Sequence, residues 1–217
     1  MKRVFDIVGA VTGLILASPF LAGVFLWILV REGRPVFYCG TRVGLRGKPF
    51  RIFKFRTMVI DAEKIGGPST SNDDPRLTKI GLFLRKYKLD ELPQLFNVLK
   101  GEMSFVGPRP EVSQEVELYN QEERSLLDVR PGITDYASIR FHNEGEILKG
   151  SRDPHEAYRR LIRPEKVRLG LAYVRNQSVA IDAKILFKTA AILFRSRIAS
   201  GASANSSVKD GSVVIDR

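Results

Sequence analysis

The first thirty residues contain the feature that most restricts the fold of this chain. Residues 7–30 read IVGAVTGLILASPFLAGVFLWILV and carry no charged side chain over 24 positions. As one straight helix with a rise of ~1.5 Å per residue, they would span ~36 Å and cross the ~30 Å hydrocarbon layer of a membrane. A signal peptide fits less well, because its apolar core is only about 7 to 15 residues long and ends in small residues. The segment therefore predicts a membrane-associated chain, and a single-pass anchor is its simplest form.

Two further features favour a segment that enters the membrane and returns to the same side. Ser18 and Pro19 lie at the midpoint, where proline removes a backbone donor and leaves two halves of only ~18 Å each. Basic residues flank the segment at both ends: Lys2, Arg3, Arg31 and Arg34. Because basic residues prefer the cytoplasmic face, we predict a re-entrant helix-break-helix over residues 1–34, with the membrane break at Ser18 and Pro19. A kinked helix that crosses the membrane remains the alternative.

The charge balance indicates an anionic partner without identifying it. The chain has 35 Lys and Arg against 24 Asp and Glu, a net charge of +11, and residues 31–60 contain eight basic residues and one acidic residue. Nucleic acid, a phosphorylated substrate and acidic lipid are all compatible with this charge. The one cysteine, Cys39, excludes an internal disulfide and a zinc site built from cysteines. A membrane-tethered protein that binds nucleic acid or acidic lipid without catalysis is therefore one hypothesis.

The basic region contains a predicted β-hairpin. Residues 36–39 and 50–58 have the composition of strands, and the glycines within residues 44–47 predict the turn between them. Alternation along the second strand places Lys54 and Arg56 on one face. Two cations side by side suit a phosphate-rich ligand, although an ordinary strand with a solvated face is the simpler explanation of this motif alone.

The most informative stretch runs from residue 73 to residue 110. Asp90 is predicted to cap a helix that has Glu91 in its first turn and stops at Gly101. Adjacent helical residues do not share a face, so one carboxylate could attack a substrate while the other holds a metal ion. Arg109 lies in the rigid turn Gly-Pro-Arg-Pro and could grip phosphate. An acidic cap and an ordinary turn are the structural alternatives.

The order of these motifs carries more information than any one of them. An apolar segment interrupted by Ser-Pro is followed by KFRTM, then by LDELPQLFNVLKGEMSFVGPRP at residues 89–110, and then by VRPGIT. Over about residues 1–197 this order resembles the bacterial sugar transferases that are monotopic polyprenyl-phosphate phosphoglycosyl transferases. The resemblance implies transfer of sugar-1-phosphate from a UDP-sugar to polyprenyl (undecaprenyl) phosphate, with release of UMP. This is the first membrane step of bacterial surface glycan synthesis.

The resemblance also implies roles for individual residues. Asp90 matches the nucleophile that forms a covalent phosphosugar intermediate, and Glu91 matches the ligand of Mg2+. An aspartate with an ordinary pKa of ~3.9 is ionised at neutral pH and needs no general base. The candidates for binding substrate or phosphate are Lys54, Arg56, Arg85, Arg109, Thr134 and Asp182. Residues 135–146, DYASIRFHNEGE, depart from the family pattern in a region that the resemblance implies meets the donor, so the identity of the sugar stays open.

The expected partners are a UDP-sugar, polyprenyl phosphate and membrane lipids, with no nucleic acid, and a homo-oligomer is compatible with the sequence. The resemblance implies the inner membrane, with the catalytic domain facing the cytoplasm.

We expect an α+β fold that is mostly helical with a small β-sheet and has interfacial amphipathic helices. The domains would be a re-entrant membrane hairpin (1–34), a catalytic domain (35–198) and a disordered tail (199–217). A helix over residues 182–197 fits either the membrane surface or the protein core. Asp153 should cap another helix, with His155 in a structural role.

Overall fold

The computed structural model describes the backbone of residues 2–207 and the side chains of residues 2–194. Its longest element is helix α1, Lys2–Glu32, which contains the whole apolar segment. Among the described residues, α1 is the one helix long and apolar enough to span a membrane. The remainder is mostly helical with small sheets, as predicted.

Within the described residues, short strands form three two-stranded sheets. The strands are β1 (Phe37–Tyr38), β2 (Thr41–Val43), β3 (Pro49–Arg51), β4 (Lys54–Phe55), β5 (Ser104–Val106) and β6 (Gly132–Thr134). β1 pairs with β4 and β2 pairs with β3, both antiparallel, whereas β5 and β6 are parallel. The first two pairings confirm the hairpin with its turn at residues 44–47, although the predicted strands are interrupted.

Nine further α-helices make up most of the remaining fold in the described residues, and only α9 and α10 are longer than eight residues. They are α2 (Ala62–Ile65), α3 (Lys79–Lys86), α4 (Leu95–Lys100), α5 (Ser113–Val116), α6 (Tyr136–Arg140), α7 (Glu144–Ile147), α8 (Pro154–Leu161), α9 (Arg163–Arg175) and α10 (Val179–Ser207). The predicted cap of α8 is confirmed, because the Asp153 carboxylate accepts hydrogen bonds from the backbone N–H groups of His155 and Glu156. His155 Nδ1 lies 3.0 Å from the hydroxyl of Ser69.

The predicted interruption of the membrane helix at Ser18 and Pro19 is wrong, because α1 continues through both residues. Pro19 has no N–H to offer the carbonyl oxygen of Ile15, one turn earlier. The Ser18 hydroxyl donates to that oxygen instead, at 2.8 Å. A side chain that satisfies the freed acceptor allows a proline to remain inside an apolar helix. The re-entrant path of this segment stays a prediction.

Both ends of α1 contact the same body of the protein. Near its first turn, Arg3 donates to the carbonyl oxygens of Val98 and Leu99 at the end of α4. At its last turn, the guanidinium of Arg56 donates to the carbonyl oxygen of Glu32 at 2.8 Å. Both ends of α1 are therefore held by hydrogen bonds to the remainder of the protein.

One face of α1 packs on the protein and the opposite face is apolar and exposed. Ala10 packs with Val98 of α4, and Ile28 packs with Phe55 of β4 and Leu84 of α3. The exposed face includes Val4, Ile7, Val8, Val11, Ile15, Leu16, Leu26 and Val30. An apolar surface of this extent is typical of contact with lipid or another protein.

Helix α10 confirms the helix predicted over residues 182–197 and extends beyond it. Ile185 is fully buried against Val106 and Tyr173, whereas Phe187 is 78% exposed. One face of α10 thus packs on the core, and its placement on a membrane stays a prediction. The boundary predicted at residue 198 falls inside α10, and residues 208–217 of the predicted tail lie outside the described residues.

Candidate active site

Asp90 and Glu91 lie in a 3-10 helix, Leu89–Gln94, that leads directly into α4. The chain enters this helix through Lys88, whose φ of 56° lies in the left-handed region. That turn makes Lys88 the N-cap, so the prediction that Asp90 caps the helix is wrong. Asp90 and Glu91 instead occupy the first turn, where they are 6% and 9% exposed. Gly101 ends α4 with φ 82°, as predicted.

Glu91 is held by two cations from distant parts of the sequence. Nζ of Lys54 lies 2.8 Å from Oε1 of Glu91, and the guanidinium of Arg109 donates to both oxygens of the same carboxylate. Burial by itself raises the pKa of Glu91, but the charges of Arg109 and Lys54 outweigh it and hold the pKa well below its usual range. Glu91 is therefore a firmly ionised carboxylate in a buried place.

Asp90 is in the opposite situation. Its Oδ1 is buried and has no hydrogen-bond partner among the described residues. Burial raises the pKa of Asp90 and the charge of Glu91 raises it further, whereas Lys54 and Arg85 lower it. The expectation of an ordinary pKa is therefore corrected: Asp90 is a more basic carboxylate than a free aspartate. An unpartnered, basic oxygen is suited to nucleophilic attack once it is ionised.

These side chains line one wide, open groove. The charged residues along it include Lys54, Arg85, Lys88, Asp90, Glu91 and Arg109. Burial lowers the pKa of Lys54, against the raising effect of Glu91. The structure thus brings seven of the eight predicted site residues to this groove, all except Asp182, and the groove carries both carboxylates and several cations.

Lys88 is a groove residue that the sequence analysis missed. Its charge lowers the pKa of both Asp90 and Glu91, and no ion-pair partner for it occurs among residues 2–194. The signal was its position two residues before Asp90 in KYKLDEL. Spacing alone could not reveal that a left-handed turn would place Lys88 beside the carboxylates.

The side chain of Arg56 binds the backbone at the end of α1. Its guanidinium donates to the carbonyl oxygens of Glu32, at 2.8 Å, and of Gly33, at 3.2 Å. Its Nε and Nη1 are buried without hydrogen-bond partners among the described residues. Arg56 also borders the groove, so its predicted contact with phosphate stays a prediction.

Thr134 and Asp182 likewise have protein partners. The hydroxyl of Thr134 lies 2.8 Å from that of Thr189, and Thr134 borders the groove. Asp182 is buried, accepts a hydrogen bond from the Tyr173 hydroxyl at 2.7 Å and forms an ion pair with Lys2. Asp182 therefore joins α10 to the first turn of α1, and the substrate roles of both residues stay predictions.

Whether this site could bind a magnesium ion depends on the carboxylates of Asp90 and Glu91. Within the side chains described, no group of three or more His, Cys, Asp or Glu residues could hold a metal ion. Magnesium in sites that process phosphates is commonly bound by one or two carboxylates together with substrate phosphates and water. Asp90, with its unpartnered Oδ1, and the ionised Glu91 provide those two carboxylates. The donor set therefore fits a magnesium ion shared with a diphosphate.

A second polar wall of the groove was not predicted residue by residue. Glu144 of α7 forms an ion pair with Lys166 of α9 at 2.6 Å, and Nζ of Lys166 lies 4.7 Å from the centre of the Tyr158 ring. The Tyr158 hydroxyl donates to Glu111 at 2.8 Å. The one sequence signal for this second wall was that Glu144 belongs to residues 135–146, the segment that departs from the family pattern.

Comparison with known proteins shows similarity to bacterial sugar transferases. The chain is 38% identical over 211 residues to the undecaprenyl-phosphate galactose phosphotransferase of Salmonella typhimurium, a match that covers 90% of this chain and 40% of that protein. It is 40% identical over 193 residues to the UDP-glucose:undecaprenyl-phosphate glucose-1-phosphate transferase of Escherichia coli, covering 87% and 39%. It is 36% identical over 203 residues to the exopolysaccharide production protein ExoY of Sinorhizobium fredii, covering 87% and 83%.

The chain therefore spans about two fifths of the length of the first two relatives. The family model described as bacterial sugar transferase matches residues 1–196, which include α1, the Asp90-Glu91 pair and the groove around it. From this match and these identities, the chain belongs to the bacterial sugar transferase family of polyprenyl-phosphate phosphoglycosyl transferases.

Proposed function

We propose that this chain transfers sugar-1-phosphate from a UDP-hexose to undecaprenyl phosphate and releases UMP. The observation that carries the proposal is Asp90, a buried carboxylate with an unpartnered oxygen, set in a cation-lined groove beside the ionised Glu91. The names of the Salmonella and Escherichia relatives support undecaprenyl phosphate as the acceptor and galactose or glucose as the sugar. The product would be the first lipid-linked intermediate of a surface polysaccharide.

The reaction proceeds in two displacements at the same phosphorus. An oxygen of Asp90 bonds to the β-phosphorus of the donor, and the bond from that phosphorus to the bridging oxygen breaks, so UMP leaves with the electron pair. A phosphate oxygen of the acceptor then bonds to the phosphorus, and the Asp90 carboxylate leaves. If the acceptor reacts as a dianion, charge balances in each step without a net proton transfer. The mechanism therefore needs no general base.

The remaining charges serve to neutralise the diphosphate. An anionic nucleophile that approaches an anionic diphosphate requires positive charge close to the reacting phosphorus. Lys54 and Arg109 form ion pairs with Glu91, while the charges of Lys54, Arg85 and Lys88 all act on Asp90. Magnesium held by Asp90 and Glu91 would add Lewis-acid stabilisation of the donor phosphates.

The position of α1 suits a lipid acceptor. Its two ends contact one body, its outer face is apolar, and Trp27 near its end packs edge-on against the exposed Phe83 of α3, with ring centres 5.6 Å apart. We assign α1 a re-entrant path in the inner membrane, with the groove on the cytoplasmic side. The polyprenyl chain could then stay in the lipid while its phosphate reaches Asp90.

Trapping the intermediate tests the proposal. Purified protein given a UDP-hexose and magnesium without acceptor should gain the mass of one hexose phosphate on Asp90, with release of about one UMP per chain. Asp90→Asn should give neither product, while it stays in the membrane fraction. Because burial penalises the charge of Asp90, this variant should also be at least as resistant to heat as the parent protein at neutral pH.

Absence of the adduct in a protein that turns over both substrates would refute the covalent route. Turnover by Asp90→Asn would refute the assignment of the nucleophile. If no UDP-sugar supports UMP release and the protein instead binds polyanions with strong salt dependence, the non-enzymatic hypothesis replaces the proposal.

A further inference from the structure

The pair of Glu144 and Lys166 lies in the same groove as Asp90 but has no part in the proposed phosphate chemistry. Glu144 Oε2 lies 2.6 Å from Nζ of Lys166, and their side chains are 30% and 12% exposed. Among the described residues, the other carboxylate oxygen of Glu144 has no partner. A carboxylate with one oxygen anchored and one oxygen free is a fixed acceptor at the wall of the groove.

The position of Glu144 is supported by two sets of contacts. Its partner Lys166 lies over the ring of Tyr158, whose hydroxyl is held by Glu111. The carbonyl oxygen of the next residue, Gly145, accepts a hydrogen bond from the backbone N–H of Asn72 at 2.9 Å. A specificity group works best when packing and hydrogen bonds fix its position in this way.

Glu144 also shares the groove with Arg109 and Lys88, two of the cations proposed to bind phosphate. The charge of Glu144 raises the pKa of Arg109, and the charges of Arg109 and Lys88 help Lys166 to lower the pKa of Glu144 against its burial. Arg109 contacts Glu91, the neighbour of the nucleophile. Asp90, Arg109 and Glu144 line the same groove, so a sugar attached to the reacting phosphorus can lie in that groove beside Glu144.

We propose that Glu144 selects the donor by its sugar: its free oxygen accepts hydrogen bonds from sugar hydroxyls, and its charge excludes sugars that carry a carboxylate. This inference rests on the proposed function. Lys166 is already paired with Glu144, so it is not free to neutralise a second carboxylate. The donor class is then a neutral, hydroxyl-bearing UDP-sugar rather than a UDP-hexuronic acid.

Matched donors test this directly. UDP-glucose and UDP-glucuronic acid differ only at carbon 6, and UDP-galactose and UDP-galacturonic acid form a second such pair. We would measure kcat/KM for UMP release by the full chain with undecaprenyl phosphate and magnesium. The parent protein should prefer the neutral member of the better pair by at least a hundredfold. Glu144→Gln should reduce that preference at least tenfold, chiefly by improving use of the uronic acid.

Glu117→Gln is the control, because Glu117 is an exposed acidic residue that does not border the groove. It should leave the preference unchanged. If Glu144→Gln does not fold, Glu144→Asp replaces it: the charge remains, so the uronic acid is still rejected, while the shorter side chain raises KM for the neutral donor.

The possible results separate the two proposals. UMP release from none of the donors would refute the proposed function. A parent protein that uses both members of a pair equally would refute the role of Glu144 alone, as would Glu144→Gln with an unchanged preference. Glu144→Asp with parental constants for both donors would refute it as well.

Discussion

Two substitutions beside Asp90 should move the pH dependence of its reaction in opposite directions. Lys54→Met removes a charge that lowers the pKa of Asp90, whereas Glu91→Gln removes one that raises it. Attack requires the ionised carboxylate, so activity falls as pH decreases through that pKa. Lys54→Met should therefore lose activity at a higher pH than the parent protein. Glu91→Gln should retain its own, lower activity to a more acidic pH.

The expected displacement follows from the usual strength of interactions between close charges. Lys54 and Glu91 lie 2.8 Å apart, and Glu91 directly follows Asp90 in the chain. A charge within ~4–6 Å of a carboxylate shifts its pKa by about 1–3 units. Two unit charges ~6 Å apart at an effective dielectric constant of ~20 interact by ~3 kcal/mol, which corresponds to ~2 pH units. We expect the acid limb to move by about 1–2 units in each variant.

The assay is a rapid-quench measurement of UMP released in a single turnover without acceptor, over a pH series at constant ionic strength. The midpoint of the acid limb is compared rather than the maximal rate, because Glu91→Gln is also expected to weaken the proposed magnesium binding. Lys54→Arg keeps the charge and should keep the midpoint. The electrostatic reasoning would be refuted if the acid limbs of Lys54→Met and Glu91→Gln moved in the same direction. A Lys54→Met midpoint equal to that of Lys54→Arg would refute it as well.

Two further predictions concern the fold and the path of α1. A side chain at Gly81 would place its Cβ 1.9 Å from the carbonyl oxygen of Thr57, so Gly81→Ala should destabilise by about 3 kcal/mol or more, roughly 6–12 °C in Tm by thermal denaturation. Gly23→Ala, with nothing within 4 Å, is the control and should show no loss. An epitope fused ahead of the first residue should be cut by protease only from the side of the catalytic domain, because Lys2 and Arg3 both contact that domain. Cleavage from the opposite side alone would exclude the re-entrant path.

Local signals predicted local structure well. The glycines of the hairpin turn, Gly101 at the end of α4 and Asp153 at the start of α8 each act on neighbouring backbone groups, so their effect can be derived from a few adjacent residues. The prediction at Pro19 failed because it counted the lost N–H without counting the Ser18 hydroxyl next to it. The helix boundary at Asp90 was misplaced because a left-handed lysine has no sequence signature.

The site itself required more than local reasoning. Asp90 and Glu91 were identified through the resemblance of a long motif, since an acidic pair at a helix start is common. Contacts between Glu91 and Lys54 or Arg109 join residues 37 and 18 positions apart, and only the tertiary fold determines them. The same holds for Arg56, whose neighbours in sequence suggested a phosphate ligand while the fold places it against the end of α1.

The pairing of the cations suggests how the groove distinguishes its ligands. Lys54 and Arg109 already neutralise Glu91, whereas among residues 2–194 no ion-pair partner occurs for Arg85 or Lys88. An incoming phosphate therefore gains the full interaction with Arg85 and Lys88. For Lys54 and Arg109, it must compete with the buried carboxylate of Glu91. Binding at Lys54 and Arg109 becomes favourable only for a ligand that also satisfies Glu91, as a diphosphate carrying a divalent cation does. Under the proposed function, the arrangement would thus favour the UDP-sugar over inorganic phosphate or UMP, the discrimination that such a transferase must make between its substrate and its product.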